Sequence, residues 1–99
     1  MKNLFVMLIQ YEKEFSEIEK SLAEHREYLK KGYEKGILLA SGPQNPKTGG
    51  LIIGKFDSKS EALSFSKQDP FSLKGLVSYD IIEFNPILHQ DFLKDFLKN

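Results

Sequence analysis

The chain has no cysteine and no excess of charge of either sign. Without cysteine there can be no disulfide framework, no thiol nucleophile and no cysteine-based metal site. Lysine plus arginine and aspartate plus glutamate number 14 each, so the formal net charge is zero. A nucleic-acid partner normally requires a basic excess on one face, and none is expected here. No apolar run approaches the ~20 residues of a membrane span, so no membrane partner is expected either.

The length of the chain limits the number of domains, and its first apolar run indicates whether a signal peptide is present. The 99 residues suffice for one domain and are too few for two, which predicts a single domain over residues 1–99. The run Leu4–Ile9 is too short for a signal peptide, and charged residues follow it where a cleavage site would need small ones. We therefore interpret this run as a buried strand and expect a cytoplasmic protein.

Apolar runs separated by turn-forming residues predict four strands. The first run is apolar at successive positions, as in a strand that is buried on both faces. Gly42-Pro43 is expected to close the second strand, and a glycine- and proline-rich loop over residues 42–50 leads to the third. The predicted strands are Leu4–Ile9, Ile37–Ser41, Leu51–Phe56 and Val77–Phe84.

Helical spacing of apolar residues predicts a long first helix, which Ser16 caps and which continues to about Lys35, where Gly36 ends it. Further helical signals follow the third and fourth predicted strands. In chain order they are a short helix from Asp57 or Ser58 through about Ser66, one turn from Asp69-Pro70-Phe71 to Gly75, and an amphipathic C-terminal helix with Leu88, Phe92 and Phe96 interleaved with His89, Leu93 and Leu97.

The order of these elements is β-α-β-β-α-β with a terminal helix. This is the ferredoxin-like α+β arrangement, an antiparallel sheet with both main helices on one face. Leu4–Ile9 and Leu51–Ile53 are apolar at successive positions, so both faces of the sheet need cover, and two helices cover only one. We therefore predict a homodimer in which the uncovered faces of two sheets pack together.

His25 is the first candidate catalytic residue because of its position on the predicted helix. It lies at the edge of the apolar face, one turn from Leu22 and one turn from Leu29. A side chain there points to the interior or to a cleft at its border, where an unpaired polar group costs roughly 1–3 kcal/mol. Imidazole also suits proton transfer near neutral pH. The simpler alternative is a histidine at the edge of the core that is bonded to a backbone carbonyl.

Asp69 is the candidate partner of His25, since the predicted topology puts the two on the same side of the sheet. A carboxylate on one ring nitrogen fixes the tautomer and leaves the other nitrogen as a base. Asp69 before Pro70 is also typical of an N-cap, a role without chemistry. The segment Ser41-Gly42-Pro43, at the end of the second strand, also stands out as a candidate site element. It is equally typical of a simple turn without chemistry. Two histidines without cysteine give no zinc spacing, and neither a metal nor a cofactor is expected.

Five short segments carry a resemblance by their order and spacing. They are His25 with Tyr28-Leu29, Gly36 through Pro43, Glu61-Ala62, Asp69-Pro70-Phe71 and Gly75-Leu76. With them the chain resembles the YCII-related (YciI-like) domain family, from about Leu4 to Phe84.

The resemblance implies a ferredoxin-like subunit that forms a dimeric α+β barrel. It implies His25 and Asp69 as the active-site pair, and lyase- or isomerase-like reactions on small, often ring-shaped, oxygenated molecules. The residues implied beside such a small-molecule ligand are Ser41, Gly42, Pro43 and Phe71.

Members of this family often carry an arginine just before the histidine, and here Leu22-Ala23-Glu24 stands in its place. Arg26 follows the histidine and, about 100° around the helix, need not face the same site. An anionic substrate held by arginine is therefore not predicted.

Two functions follow from these observations. The first is a small cofactor-independent enzyme in which Asp69 orients His25 as a general acid/base toward a small oxygenated organic molecule. The second is a non-catalytic, small-ligand-binding or regulatory dimer of the same fold. A purely structural dimerisation domain is a third reading, which leaves His25 unexplained.

Overall fold

The computed structural model describes residues 2–98, which form a four-stranded antiparallel sheet with helices. The strand order β2-β3-β1-β4 is that of the predicted ferredoxin-like α+β fold, which is confirmed. The strands are β1 (Leu4–Tyr11), β2 (Leu38–Pro43), β3 (Gly49–Lys55) and β4 (Val77–Phe84). The helices are α1 (Phe15–Glu19), α2 (Leu22–Glu34), α3 (Lys59–Lys67), α4 (Pro70–Leu73) and α5 (Lys94–Lys98), with a 3-10 turn at Asp91–Leu93.

The main core lies between the helices and one face of the sheet. Alternation along β1 points Phe5, Met7 and Ile9 to this face, and all three are buried. They pack with Leu29 of α2 and Ile52 of β3. Burial of one such side chain stabilises the fold by roughly 1.5–3 kcal/mol, so this face decides how α2 lies on the sheet.

A second, smaller apolar cluster holds α1 and α4 at one end of the sheet. It consists of Ile18 from α1, Phe71 from α4 and Leu76, with Tyr11 and Leu22 packed against it. Both helices are too short to be stable alone, so their position depends on this packing. The cluster thereby places the start of α4 beside α2.

The predicted first helix is divided into two. α1 ends before a break at residues 20–21, and α2 begins after it. The predicted Ser16 cap is wrong, because Ser16 lies inside α1 and the N-cap is Glu14. The break lets Ile18 enter the second cluster while Leu29 packs in the main core. The end of α2 agrees with the prediction, since Gly36 follows it with φ of 74°, a conformation that glycine adopts without strain.

The two strand boundaries beside the β2–β3 loop differ from the prediction. β2 continues through Gly42 and Pro43, which were expected to end it, and β3 begins earlier, at Gly49. β2 is an edge strand, where the missing N–H of proline is tolerated. The loop between β2 and β3 is therefore shorter than residues 42–50.

The amphipathic helix predicted from Leu88 is wrong in its start and in its apolar face. The segment becomes helical only at Asp91, and Leu88 and Phe92 are 93% and 81% exposed. Leu97 is the buried residue of α5. The Lys2 N–H donates to the Leu97 carbonyl (2.9 Å) and Lys55 Nζ donates to the Phe96 carbonyl. These contacts hold α5 at one end of the sheet face that α2 and α3 leave open.

Most of this second sheet face has no helix on it. Val6, Leu8 and Ile53 on it are half-buried, and Ile82 and Phe84 are 53% and 43% exposed. The predicted homodimer requires such a face and stays a prediction. No helix within residues 2–98 has both the length and the apolar character needed to cross a membrane.

Candidate functional site

His25 of α2 and Asp69, which precedes α4, are in direct contact, as the sequence predicted. Nδ1 of His25 lies 2.9 Å from each oxygen of the Asp69 carboxylate. Asp69 is fully buried and His25 is 7% exposed. The two residues are 44 positions apart, and the packing of α4 beside α2 brings them together.

The Asp69 carboxylate accepts hydrogen bonds from three different residues. The Phe71 N–H donates to Oδ1 (3.0 Å), the Tyr79 hydroxyl donates to Oδ2 (2.5 Å), and His25 Nδ1–H faces both oxygens. An ionised carboxylate only accepts hydrogen bonds, so the tautomer of His25 that pairs with it carries its proton on Nδ1. Asp69 is therefore both the N-cap of α4 and the partner of His25, and the two readings of this residue are not alternatives.

The second ring nitrogen of His25 faces solvent-accessible space. In the tautomer that donates from Nδ1 to Asp69, Nε2 of the neutral ring has a free lone pair. Within residues 2–98, every side-chain nitrogen or oxygen that is closed off from solvent has a hydrogen-bond partner. Within the same residues, the hydrogen bonds of the His25 ring are made through Nδ1. Nε2 must therefore be reachable from outside, which is what a general base requires.

Phe71 fixes the plane of the imidazole. The two rings are stacked, with centroids 4.0 Å apart and an angle of 6° between their planes. Phe71 is itself 1% exposed and belongs to the second apolar cluster, so it cannot easily move. The stack and the Asp69 carboxylate together hold His25 in one orientation.

A cavity of about 300 Å³ opens beside His25. Ser41, Gly42 and Pro43, at the end of β2, line it together with Phe71, so the structure brings all the predicted ligand-site residues to one cavity. The Ser41 hydroxyl is 2.7 Å from that of Tyr33. That these residues contact a ligand remains a prediction.

Several residues of the site were not found from the sequence. Tyr79 bonds Asp69, and the cavity is lined further by Tyr11, Phe15, Arg26 and Lys47. Arg26 had not been expected to face the same site as His25. It reaches the cavity because a long arginine side chain spans the angle between neighbouring positions on a helix.

A sequence signal existed for Tyr79 but not for the two cations. Tyr79 alternates with Val77 and Ile81 along β4 and pairs with Ile9, so strand periodicity puts it on the helix-covered face. A tyrosine among apolar residues on that face needs a partner for its hydroxyl. Lys47 lies in a loop, where no periodicity indicates a direction.

The tyrosines near Asp69 stay protonated. Burial raises the pKa of the Tyr79 hydroxyl far above its ordinary value, and the charge of Asp69 and their hydrogen bond raise it further. Burial, helped by the Asp69 charge, raises the pKa of Tyr28 to about 12. Tyr79 is therefore a permanent donor to the carboxylate at physiological pH.

Across residues 2–98, no group of three or more histidine, aspartate and glutamate side chains is placed to hold a metal ion. The groups that can do chemistry in the cavity are the ring of His25, the hydroxyls of Ser41 and Tyr11, and the side chains of Arg26 and Lys47. This set can move a proton and bind oxygen atoms of a ligand.

Comparison with known proteins gives a family and a fold. The family model described as YCII-related domain matches residues 3–85. A solved structure of 5-chloro-2-hydroxyhydroquinone dehydrochlorinase from Burkholderia phenoliruptrix, in complex with 2,5-dihydroxybenzoquinone, superposes with a TM-score of 0.72. The two sequences are 22% identical, and the alignment covers 83% of this chain and 93% of that one. At this identity the likeness shows the fold. No curated protein matches the sequence significantly.

Proposed function

Because this chain belongs to the YCII-related domain family, we propose that it is a small cofactor-independent enzyme in which Asp69 orients His25 as a general acid/base. One observation carries the proposal. A buried carboxylate with three donors holds Nδ1 of His25, while Nε2 is left without a protein partner at a cavity. A merely structural histidine has no need of an accessible, unpaired nitrogen.

The proposed chemistry is a proton transfer on the bound molecule. Nε2 takes a proton from a C–H or O–H group, and the Asp69 carboxylate stabilises the imidazolium that forms. Return of the proton to another atom gives an isomerisation, and its delivery to a leaving group gives an elimination. Assistance of this kind is typically worth ~10²–10⁴-fold in rate.

The size of the cavity favours a small substrate. About 300 Å³ is at the lower end of the range of roughly 300–1,000 Å³ that ligand pockets occupy. The structurally similar dehydrochlorinase acts on a chlorinated hydroxyhydroquinone and was solved with a dihydroxybenzoquinone. We infer that the substrate class here is also small, oxygenated and ring-shaped, with one ring in contact with the aromatic wall.

The experiment measures turnover and binding on the same compounds. The panel contains hydroxylated single-ring compounds, with 5-chloro-2-hydroxyhydroquinone and its chloride release as the first assay. His25→Asn is expected to abolish turnover, and Asp69→Asn to lower it while binding persists. The asparagine amide keeps an acceptor for the cap but presents a donor to Tyr79 or His25. The two effects should be strongly non-additive, because the pair acts as one unit.

His89→Asn is the matched control, since His89 is the other histidine and its Nδ1 bonds the nearby Gln90 carbonyl on the surface. This variant should keep full activity. Full activity of His25→Asn on a compound that the wild type converts would end the catalytic proposal. Compounds that shift the His25 ring signals in NMR spectra without any turnover would favour the ligand-binding or regulatory alternative.

We also propose that the protein acts as a cytoplasmic homodimer. The helix-free sheet face carries apolar side chains from β1, β3 and β4, and an exposed apolar face of this kind marks an interaction surface. A second copy of the same face is its simplest cover, because two antiparallel sheets pack well face to face.

A further inference from the structure

Two cations and no carboxylate line the cavity beside His25. Arg26 and Lys47 are both lining residues, and the described part of the chain contributes no aspartate or glutamate to the wall. In a protein with zero formal net charge, this is a local excess of positive charge. Cavity walls of one sign concentrate ligands of the opposite sign.

Within residues 2–98, neither cation is paired with a carboxylate. Ion pairs in the described chain engage Lys20, Lys30 and Lys74, among others, but neither Arg26 nor Lys47. Their side chains also donate no hydrogen bond to any other residue that the structure describes. Lys47 Nζ lies 5.9 Å from the centroid of the Phe15 ring, which is itself part of the cavity wall. The two charges are therefore free for a ligand.

Arg26 is close to a second polar group of the wall. Burial raises the pKa of the Tyr11 hydroxyl, and the positive charge of Arg26 partly offsets this rise. The guanidinium thus lies within electrostatic range of Tyr11, at the side of the cavity formed by β1. Both residues line the cavity, so its wall offers a ligand oxygen a cation and a hydroxyl.

We propose that the cavity selects anionic, oxygenated ring compounds, whose oxyanion binds between Arg26 and Lys47 while the ring lies near His25 and Phe71. This inference uses the same cavity as the proposed function and names its substrate class. The shared ligand chemistry is an oxyanion, either a carboxylate or an ionised ring hydroxyl. The planar guanidinium suits both, since it presents several N–H donors to one or two oxygens.

The test compares two probes of nearly equal shape, 4-hydroxybenzoate and 4-hydroxybenzamide, in the wild-type protein. Binding is followed by the shift of the His25 ring signals, with the His89 signals as an internal reference. A hydrogen bond to a charged group contributes enough for a preference of about tenfold for the anion. The affinity for the anion should fall as salt is added, and that for the amide should not.

Arg26→Gln and Lys47→Gln should each lower this preference, while the affinity for the neutral amide is kept. Lys59→Gln is the matched control, because it removes the same charge at the start of α3, which follows the far end of β3. It should leave the preference unchanged. If Arg26→Gln also lost its affinity for the amide, the Arg26→Lys variant would be measured. Because it restores the charge, it should restore the preference for the anion.

An equal affinity for the two probes in the wild type, or an unchanged preference in both glutamine variants, would overturn the inference. If the preference is observed, two further probes distinguish the two sources of the oxyanion. Benzoate carries a carboxylate, and 2,5-dihydroxybenzoquinone carries an ionised ring hydroxyl but no carboxylate. These outcomes are independent of catalysis. If the wild type prefers the anion but His25→Asn remains active, the proposed function alone is refuted. If the wild type shows no such preference but His25→Asn is inactive, this inference alone is refuted.

Discussion

Asp69 satisfies three donors from three parts of the chain: His25 in α2, Phe71 in α4 and Tyr79 in β4. Each bond restrains the carboxylate in a different direction. Leaving a buried donor without a partner costs about 1–3 kcal/mol, so the four residues are coupled in stability as well as in position. The orientation of His25 therefore depends on a residue that never reaches the cavity, Tyr79.

Tyr79→Phe tests this positioning role with any compound that the wild type converts. Loss of the hydroxyl leaves Asp69 with two donors and one less restraint on its Oδ2. We expect kcat to fall about tenfold with little change in KM, because a bond to a charged group is lost while the cavity wall is unchanged. A purely structural role predicts lower stability with kcat unaffected, and thermal unfolding of the same variant separates the two.

Ionisation of Tyr79 is expected to lower the stability of the protein at alkaline pH. Its pKa in the folded state is raised above the unfolded value of about 10. Below pH 10 both states keep the proton and the contribution is constant. Above pH 10 the unfolded chain loses its proton first, so the free energy of unfolding falls, by up to about 1.4 kcal/mol per pH unit for this group.

Urea unfolding at several pH values above 10 measures this dependence. The decline should be steeper in the wild type than in Tyr79→Phe, which has no proton to lose at this position. Equal slopes in the two proteins would mean that Tyr79 ionises as readily in the folded state as in the unfolded chain.

At the scale of elements, the pairing of β1 with β3 at the cavity end depends on a glycine. Gly49 lies opposite Gln10, and a Cβ at Gly49 would come within 1.9 Å of the Ile9 carbonyl oxygen. Gly49→Ala must push the strands apart, and overpacking of this kind costs about 1–3 kcal/mol. The measurement is the free energy of unfolding in urea at constant m-value.

Gly42→Ala is the control for this prediction. A Cβ at Gly42 meets no atom within 4 Å, and its φ is not positive. We expect its stability to stay within about 0.5 kcal/mol of the wild type. A similar loss in both variants would show that glycine matters here for chain flexibility and not for the close approach of β1 and β3.

At the scale of the whole molecule, the helix-free sheet face decides the assembly. Ile82 is 53% exposed near the middle of β4 and pairs with Val6 of β1. We expect the wild type to sediment as a dimer of the 11.4 kDa chain and Ile82→Asp to sediment as a monomer, because a charge on this face would be buried without a partner.

Leu73→Asp is the matched change on the other side of the molecule. Leu73 belongs to α4 and is 72% exposed, so the same charge there should leave the dimer intact. A wild-type monomer at micromolar concentration would refute the homodimer. A dimer that survives Ile82→Asp would place the contact elsewhere, with the exposed Leu88 and Phe92 as the next candidates.

The sequence alone was sufficient for the strand order, the bounds of β4, the contact of His25 with Asp69 and the helix ends at Gly36 and Gly75. These features depend on local signals: apolar periodicity, a proline after a capping residue, and glycines with φ of 74° and 68°. A four-stranded α+β order then leaves few topologies, which is why residues 44 positions apart could be paired.

Only the tertiary structure decided the break between α1 and α2, the short α5, the contact of Tyr79 with Asp69, and the places of Arg26 and Lys47. The break depends on two apolar clusters that pull neighbouring helices in different directions, and local spacing does not contain that competition. Arg26 and Lys47 belong to a helix and a loop, and their meeting at one cavity depends on how these elements pack. The contact of the Tyr79 hydroxyl with Asp69 depends on the same packing. A long side chain adds further freedom, since its reach exceeds the angle that separates positions on a helix.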